Sequence, residues 1–456
     1  MNFINSVWWL IVAIGILVTF HEFGHYWVAR KMGVKVLKFS VGFGKVLFSK
    51  TNKEGTEFAV SAIPLGGYVK MLDERVDSVT EGERENAFNN KSVYARFAIV
   101  AAGPIFNLVL AVFMFWAMYL LGVQDVRPII GEPEGAAAIA GFKESDQIIS
   151  INGNKAETWT HATIDLIAAT STLGPVSIEV ENAEGVSRSL RLKNYTLPED
   201  IDDSQVLKNI GLKPWRPKLP AQIGSFAETS AAQEAGLEVG DLIVSINETA
   251  IPSFTALGTA IQDESPKGPL ILRVERSGEY LDITLIPEKV DNDGNSRFVI
   301  GIYPTQPDAE LKKQYDRFVT TRQYGPVAAL SKAFDETSRL SMATLNMIKR
   351  MITGEASVKN LSGPIAIAQF ASQSAESGLS HFLFFLGLLS LSLAILNFLP
   401  VPMLDGGHLL YYLIEMVKGS PVSEQTQVFG QYIGIAALML MMSVAFYNDI
   451  LRLVGS

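Results

Sequence analysis

The segment that most constrains this chain is His21-Glu22-Phe23-Gly24-His25, which lies in an apolar stretch that begins near Trp8. Two histidines at this spacing project from the same face of a helix, close enough to bind one metal ion. Glu22 stands beside the first histidine, where a carboxylate can accept a proton from a water at that metal. The spacing therefore predicts a metal site inside a helix of membrane length.

The alternative is a pair of buried structural histidines with an ion-paired glutamate. Glu22 is the only acidic residue before Glu54, and no Lys or Arg precedes Arg30, so the N-terminal segment offers no local cation. An ionisable cluster at membrane depth is costly unless its members pair with one another or serve a function. These facts favour a zinc site over a packing role.

The composition indicates a membrane protein with several domains. The 456 residues exceed the size at which one hydrophobic core stops growing. Hydrophobic residues make up 48% of the chain and concentrate towards both ends. The net charge of -9 gives no reason to expect nucleic acid as a partner. The absence of Cys excludes thiolate metal ligands and disulfides.

We predict a polytopic α-helical membrane protein with about four transmembrane helices, because four stretches are apolar and long enough to span a lipid bilayer. Basic residues between Arg30 and Lys38 follow the first span, so the positive-inside rule places the N-terminus outside and the metal near the cytoplasmic face. The predicted segments are 1–30 for helix one, 31–95 for a cytoplasmic-side, membrane-associated β-hairpin and loop region, 96–122 for helix two, 127–215 and 216–308 for two β-rich domains, 309–378 for an extracytoplasmic linker with an amphipathic helix, 379–408 for helix three, 409–428 for a cytoplasmic-side loop, and 429–448 for helix four.

The hairpin region contains two runs of strand-forming residues, the first around Gly42-Phe43-Gly44. Glycines inside a strand pattern often mark bulges or the close approach of another backbone. A hairpin with a free edge beside a protease site would suit an extended substrate that adds as a further strand. A purely structural hairpin fits the pattern equally well.

The two β-rich domains follow from an internal repeat. Residues 136–152 recur as residues 231–247 at a constant offset of 95, which suits two small domains better than a solenoid. The shared pattern of Ala-Ala, a Gly followed by Phe or Leu, an Asp and a final Ile-Asn resembles PDZ domains. Neither copy shows an obvious Gly-Leu-Gly-Phe carboxylate-binding loop, so the ligands of these domains stay open.

A second polar cluster follows the third span, from Asn397 to His408. Pro400 and Pro402 break the helix there, which at membrane depth is tolerated where the backbone is buried in protein or lines a cavity. The predicted topology brings Asp405 to the same depth as the histidine pair. A broken helix and an isolated acid at that depth point to a shared site.

Catalytic zinc commonly has three protein ligands and an open position. We predict His21, His25 and Asp405 as these ligands, with His408 as the rival for the third position. Glu22 is then the expected catalytic base. Two amides embedded in the spans are expected to hold the substrate backbone or the oxyanion. They are Asn107 and Asn397.

These motifs together resemble the site-2 protease family of intramembrane zinc metalloproteases. The resemblance rests on His-Glu-x-x-His in the first span, Asn-x-x-Pro-x-Pro-x-Leu-Asp-Gly in a late one and the PDZ-like pair between spans two and three, and it covers essentially the whole chain. It implies one zinc ion per chain and the ligand and base assignments above. It also implies substrate contacts, which are an edge strand near Gly42, Phe43 and Gly44, and a segment with Asn397, Pro400 and Pro402.

The resemblance also implies a substrate and a location. The substrate is a single-span membrane protein of the anti-sigma factor type, already cut outside the membrane, and remnant signal peptides are a second class. The PDZ-like pair would exclude untrimmed substrates by size. The implied location is the bacterial inner membrane, with the termini and the PDZ-like domains in the periplasm and a role in the envelope stress response.

Two other functions fit parts of the sequence. A metal transporter would also place His and Asp residues inside the membrane, but the chain has few spans and no second histidine cluster. A PDZ scaffold would use the histidine cluster only to brace the bundle. Loss of cleavage with retained metal in a Glu22→Gln variant would favour the protease over both.

Overall fold

The computed structural model describes residues 3–170, 174–193, 205–292, 295–306 and 308–454. Within these ranges four helices are long and apolar enough to cross a membrane, as predicted, and they are α1, α2, α11 and α13 in the following list. The helices are α1 Phe3–Lys31, α2 Val93–Leu121, α3 Gly135–Ala140, α4 Trp159–Thr170, α5 Val206–Ile210, α6 Ala231–Glu234, α7 Phe254–Glu264, α8 Ala309–Phe318, α9 Pro326–Thr353, α10 Pro364–Glu376, α11 Leu379–Phe398, α12 Asp405–Lys418 and α13 Glu424–Val454.

The strands form sheets on the polar segments between these helices. The strands are β1 Val36–Thr51, β2 Glu57–Met71, β3 Val123–Val126, β4 Gln147–Ile151, β5 Asn154–Lys155, β6 Val176–Glu181, β7 Ser187–Leu192, β8 Ile223–Phe226, β9 Leu242–Ile246, β10 Thr249–Ala250, β11 Leu270–Arg276, β12 Glu279–Leu285, β13 Glu288–Asn292, β14 Asn295–Val299, β15 Ile302–Pro304 and β16 Val319–Arg322. β16 pairs with β3 directly after the end of α2.

The long strands β1 and β2 fold back on themselves. Residues 36–41 pair with residues 67–71 and also with residues 57–60, while residues 46–51 pair with residues 57–61. Gly42 lies at the bend with φ +91°, where a Cβ would sit 2.8 Å from the carbonyl oxygen of Ser61, so only glycine fits there. Within the described part of the chain, residues 67–71 pair on one side only and form an edge.

The two repeat copies fold into two four-stranded sheets of the same strand order. The first sheet is ordered β5-β4-β6-β7 and the second β10-β9-β11-β12. The repeated asparagines sit at equivalent turns, because Asn152 Oδ1 accepts from the Ser177 amide at 2.9 Å and Asn247 Oδ1 accepts from the Ile271 amide at 2.9 Å. Each sheet covers its own apolar cluster.

The first sheet docks on the helices through α4. His161 Nε2 lies 3.1 Å from Glu336 Oε2 of α9, and Tyr119 of α2 donates to the same oxygen at 3.0 Å. Both members of the His161–Glu336 pair are buried. The equivalent position in the second copy is Ala256, so this polar contact belongs to the first copy alone.

Two of the other membrane helices, α1 and α11, pack against α2. An apolar cluster unites α1, α2, α10 and α11 through Leu17, Leu110, Ala371 and Phe385. α1 and α2 cross in close contact at Gly24, where a Cβ would lie 2.5 Å from the Ala102 carbonyl oxygen. The absence of a side chain at this crossing brings the histidine face of α1 directly against α2.

Two parts of the predicted segment division differ from the structure. The third membrane helix ends at Phe398 instead of continuing to 408, and α12 occupies much of the predicted loop 409–428. The physical reason is that Pro400 and Pro402 end one helix while the residues after them form a new one, which Gly419 closes at φ +78°. The predicted linker 309–378 likewise contains α8, α9 and α10, and α9 is its long amphipathic helix.

Candidate metal centre

The predicted ligands converge at the junction of α1 and α12. His21 Nε2 and His25 Nε2 are 3.3 Å apart. Asp405 Oδ2 lies 3.1 Å from His21 Nε2 and 3.4 Å from His25 Nε2. These three residues form the metal-competent group of the described chain, and their ligand atoms all lie within 4.8 Å of one another. The group contains Asp405 and not the rival His408, whose ring packs on Tyr411.

The donor set and its spacing fit a zinc ion. Bonds of about 2.0–2.1 Å to a tetrahedral zinc place neighbouring ligand atoms about 3.4 Å apart, close to the distances between these three atoms. Asp405 Oδ2 is buried and has no well-oriented hydrogen-bond partner in the described part of the chain. A cation between the three atoms would satisfy this oxygen, and two imidazoles with one carboxylate are a usual catalytic zinc set.

The turn between α11 and α12 brings Asp405 to the histidines. Met403 adopts φ +83°, and Asp405 is the first residue of α12. A Cβ at Gly406 would lie 1.9 Å from the Leu399 carbonyl oxygen, and one at Gly407 would lie 2.6 Å from the Val401 carbonyl oxygen. The two glycines of the Leu-Asp-Gly-Gly sequence therefore let α12 begin tightly against the turn, which fixes where the carboxylate points.

Helix α2 lines the other side of the histidine pair. Gly103 faces both rings, because a Cβ there would sit 2.3 Å from His25 Nε2 and 2.8 Å from His21 Cε1. His25 Nδ1 lies 2.9 Å from the Ile99 carbonyl oxygen, to which it can donate, and this leaves Nε2 free for a metal. The spacing of α1 predicted the ligands, but these α2 contacts depend on how two helices cross.

Glu22 lies between α1 and the edge of β2. A Cβ at Gly67 would lie 2.9 Å from Glu22 Cγ and 2.7 Å from the Ser40 carbonyl oxygen. The free edge of residues 67–71 therefore passes directly beside the glutamate. The edge strand was expected near Gly42, Phe43 and Gly44, and the edge backbone that lies beside the Glu22 side chain is that of Gly67.

The predicted substrate-binding residues occupy different environments. Phe43 is 43% exposed, and its ring stacks on Tyr68 with 6.3 Å between centroids, so it presents an aromatic surface next to the edge. Asn397 is buried in the last turn of α11. Asn107 is fully buried on α2, and its Nδ2 lies 3.1 Å from His21 Nδ1, so its observed partner is a predicted metal ligand.

Pro402 of the turn packs against the last membrane helix. A Cβ at Gly434 of α13 would lie 2.2 Å from the Pro402 carbonyl oxygen. Pro400 precedes this contact in the same irregular turn between α11 and α12. Pro402 is therefore packed against α13, while Pro400 and Met403 of the same turn are exposed.

Comparison with known proteins identifies the family. The model of peptidase family M50 matches residues 9–441. The chain belongs to this family. The protein named Protease RseP of Yersinia pestis is 41% identical over 461 residues, covering 99% of this chain and 100% of the relative. The Regulator of sigma-E protease RseP of Escherichia coli K12 is 39% identical over 461 residues with the same coverage. A Xylella fastidiosa protein provisionally named zinc metalloprotease is 43% identical over 451 residues, 99% of both chains.

Family membership confirms the resemblance drawn from the motifs. The chain is a zinc-dependent metalloendopeptidase of the site-2 protease type, and its four apolar helices make it a multi-pass membrane protein. The transporter and scaffold interpretations lose their support, because the match spans the helices that carry the ligands as well as the sheets between them.

Proposed function

We propose that this protease cleaves the membrane segment of single-span proteins after a first cut outside the membrane. The observation that carries the proposal is the convergence of His21, His25 and Asp405 between helices of membrane length, with Glu22 beside them. A substrate for this centre must present its peptide bond among helices of membrane length and beside the edge of β2. The substrate class that meets this requirement is a transmembrane segment.

The chemistry assigned to each residue follows from its position. Zinc held by His21, His25 and Asp405 would lower the pKa of a water and polarise the scissile carbonyl. Glu22 is the base that accepts the proton on its carboxylate and delivers it to the leaving amine nitrogen. The side chain of Glu22 is half-buried beside the ligand pair.

Strand addition is the proposed mode of substrate binding. A substrate helix must unwind before its backbone can be cut, and an unwound segment needs partners for its amide and carbonyl groups. The edge of residues 67–71 offers such partners next to Glu22. Phe43 and its partner Tyr68 would contact the substrate side chains, while Asn397, Pro400 and Pro402 shape the opposite wall.

The PDZ-like pair is proposed as a size filter on the outer side. Two facts support this arrangement. The metal centre faces Gly103 in the first half of α2, whereas the sheets attach through β3 after the end of α2 at Leu121, about 27 Å further along the helix. The basic residues after α1 favour a cytoplasmic position for the metal end. The sheets and both termini would then be periplasmic in an inner-membrane protein.

The natural substrates we propose are of two kinds. The names of the RseP relatives connect those proteins to sigma-E regulation, so an anti-sigma factor trimmed by another protease is the first candidate. Signal-peptide remnants are the second, since they too are short, single membrane segments without a folded outer domain. Both would pass a filter that excludes bulky domains.

The deciding experiment is cleavage of a trimmed single-span reporter by the purified full chain in detergent. We expect wild type to cut, Glu22→Gln to keep bound zinc without cutting, and Asp405→Ala to lose both. A reporter that keeps a folded outer domain is the matched comparison, and it should be cut more slowly if the filter operates. Wild-type cleavage by Glu22→Gln would refute the mechanism, and metal uptake into vesicles by that variant would favour a transporter.

A further inference from the structure

Asn107 is the buried polar residue of α2 that faces the metal centre. Its side chain is fully buried, and Nδ2 lies 3.1 Å from His21 Nδ1. Its backbone is held in place, because Ser390 of α11 donates to the Asn107 carbonyl oxygen at 2.7 Å. Its Oδ1 is buried without a hydrogen-bond partner in the described part of the chain. A fixed, buried amide with one unsatisfied end needs an explanation.

The protonation of histidine ligands explains why a buried amide lies beside His21. Imidazole binds a metal through a nitrogen lone pair, so a ligand that uses Nε2 carries its proton on Nδ1 and must donate it to an acceptor. His25 donates to the Ile99 carbonyl oxygen at 2.9 Å. For His21 the group at the corresponding position is the Asn107 amide.

The amide can meet either protonation pattern of His21. With Nδ2 towards the ring, the amide donates to Nδ1 and the ring proton is on Nε2, the nitrogen that lies 3.1 Å from Asp405 Oδ2. A half turn of the amide presents Oδ1 instead, which accepts the Nδ1 proton and frees the Nε2 lone pair. The same half turn gives the unsatisfied oxygen its partner.

We propose that Asn107 is a positioning residue that accepts the His21 Nδ1 proton and so fixes His21 in its metal-binding tautomer. The proposal rests on the ligand set proposed above, and it replaces the substrate contact expected of Asn107 from sequence. Complete burial and the contact with the ligand ring favour this role, because a residue that holds the substrate backbone must be reachable by it.

The test is the zinc affinity of the purified full chain, measured by competition with a chromophoric chelator. Asn107→Leu keeps the volume and removes the acceptor, and we expect zinc to bind about 10–100-fold more weakly. Asn107→Asp restores an acceptor at the same place and should bind zinc within a few-fold of wild type. Ser390→Ala is the matched control, because it removes the contact to the Asn107 backbone and leaves the amide.

The outcomes separate this role from the others. Wild-type zinc affinity in Asn107→Leu overturns the proposal, and that variant decides alone if a buried carboxylate prevents the Asp variant from folding. Equal losses in Asn107→Asp and Asn107→Leu overturn it too, because an acceptor would then not matter. Zinc affinity is independent of cleavage, so a chain that binds zinc but cuts no reporter contradicts the proposed function and leaves this inference intact.

Discussion

Gly103→Ala tests whether α2 shapes the metal centre. The added methyl group would sit 2.3 Å from His25 Nε2 and 2.8 Å from His21 Cε1. Favourable contacts between such atoms lie near 3.5 Å, so the His25 ring must move by about 1 Å. The histidines cannot retreat freely, because α1 and α2 are already in contact at Gly24.

The expected effect follows from that displacement. A shift of about 1 Å in a catalytic group can cost about 10²-fold in rate. Overpacking of a tight interface adds about 1–3 kcal/mol of destabilisation. We therefore expect Gly103→Ala to bind zinc at least tenfold more weakly and to cleave the trimmed reporter about 10²-fold more slowly, a range that follows from the displacement of the ligand.

Two measurements test this prediction, and a second glycine substitution in the same helix bundle serves as their control. Zinc affinity by chelator competition and reporter cleavage are measured on the purified full chain in detergent. Gly15→Ala is the control, since a Cβ on that α1 glycine meets nothing within 4 Å, and it should behave as wild type. If Gly103→Ala binds zinc and cuts like wild type while folding normally, the close approach of α2 to the histidines is not a feature of the working enzyme.

Three further perturbations test other parts of the structure. Arg96 of α2 donates to Glu415 of α12 at 2.7 Å. We expect Arg96→Ala to weaken zinc binding and the charge-swapped Arg96→Glu, Glu415→Arg double variant to recover it. A double variant that binds zinc no better than Arg96→Ala would contradict this role of the ion pair. Burial opposes the charged form of Glu336, but the hydrogen bond and charge of His161, with help from neighbouring groups, outweigh it and hold the pKa of Glu336 below its usual value. Its contribution to docking of the first sheet is therefore present above about pH 4.3 and lost as pH falls through the lowered folded pKa, so hydrogen exchange in α4 should rise on acidification in wild type and be raised already at neutral pH in Glu336→Gln. Gly67→Val should slow cleavage, because its Cβ would lie 2.9 Å from Glu22 Cγ and 2.7 Å from the Ser40 carbonyl oxygen and would displace the predicted base. Unchanged cleavage by a normally folded variant would show that the close approach of this edge to Glu22 is not needed.

The ligand set could be predicted from sequence because each part has its own signal. The histidines are identified by their helical spacing. Asp405 is identified by its isolation in an apolar region and by its predicted position in the membrane, which the positive-inside rule places at the depth of the histidines. Residue spacing and membrane depth can each be read from a single segment, so the three ligands can be predicted without knowing how the helices pack. The geometry agrees with this choice and brings the three side chains together.

The helix α12 was missed although its signals are present. Pro402 before it and Gly419 after it are usual flanks of a helix, and a short amphipathic segment after a membrane span is easily taken for a loop. The folded-back sheet of β1 and β2 could not be predicted in detail either. Each long strand pairs with two stretches of the other, and a period-2 pattern carries no information on which stretch is the partner.

The organisation of the centre by α2 could not be predicted, because its contributions are a backbone carbonyl, a missing side chain and an amide. Ile99, Gly103 and Asn107 lie four residues apart along one face of the helix, and each faces a histidine ligand. Arg96, at the start of the same face, holds the helix that carries Asp405. α2 supplies no metal ligand, yet every ligand is oriented by it directly or through α12. A change in the tilt of α2 would therefore disturb all three ligands together, and α2 is also the helix whose far end bears the first β-rich domain through β3 and the buried Tyr119. This gives the β-rich domains a physical connection to the metal centre through one helix.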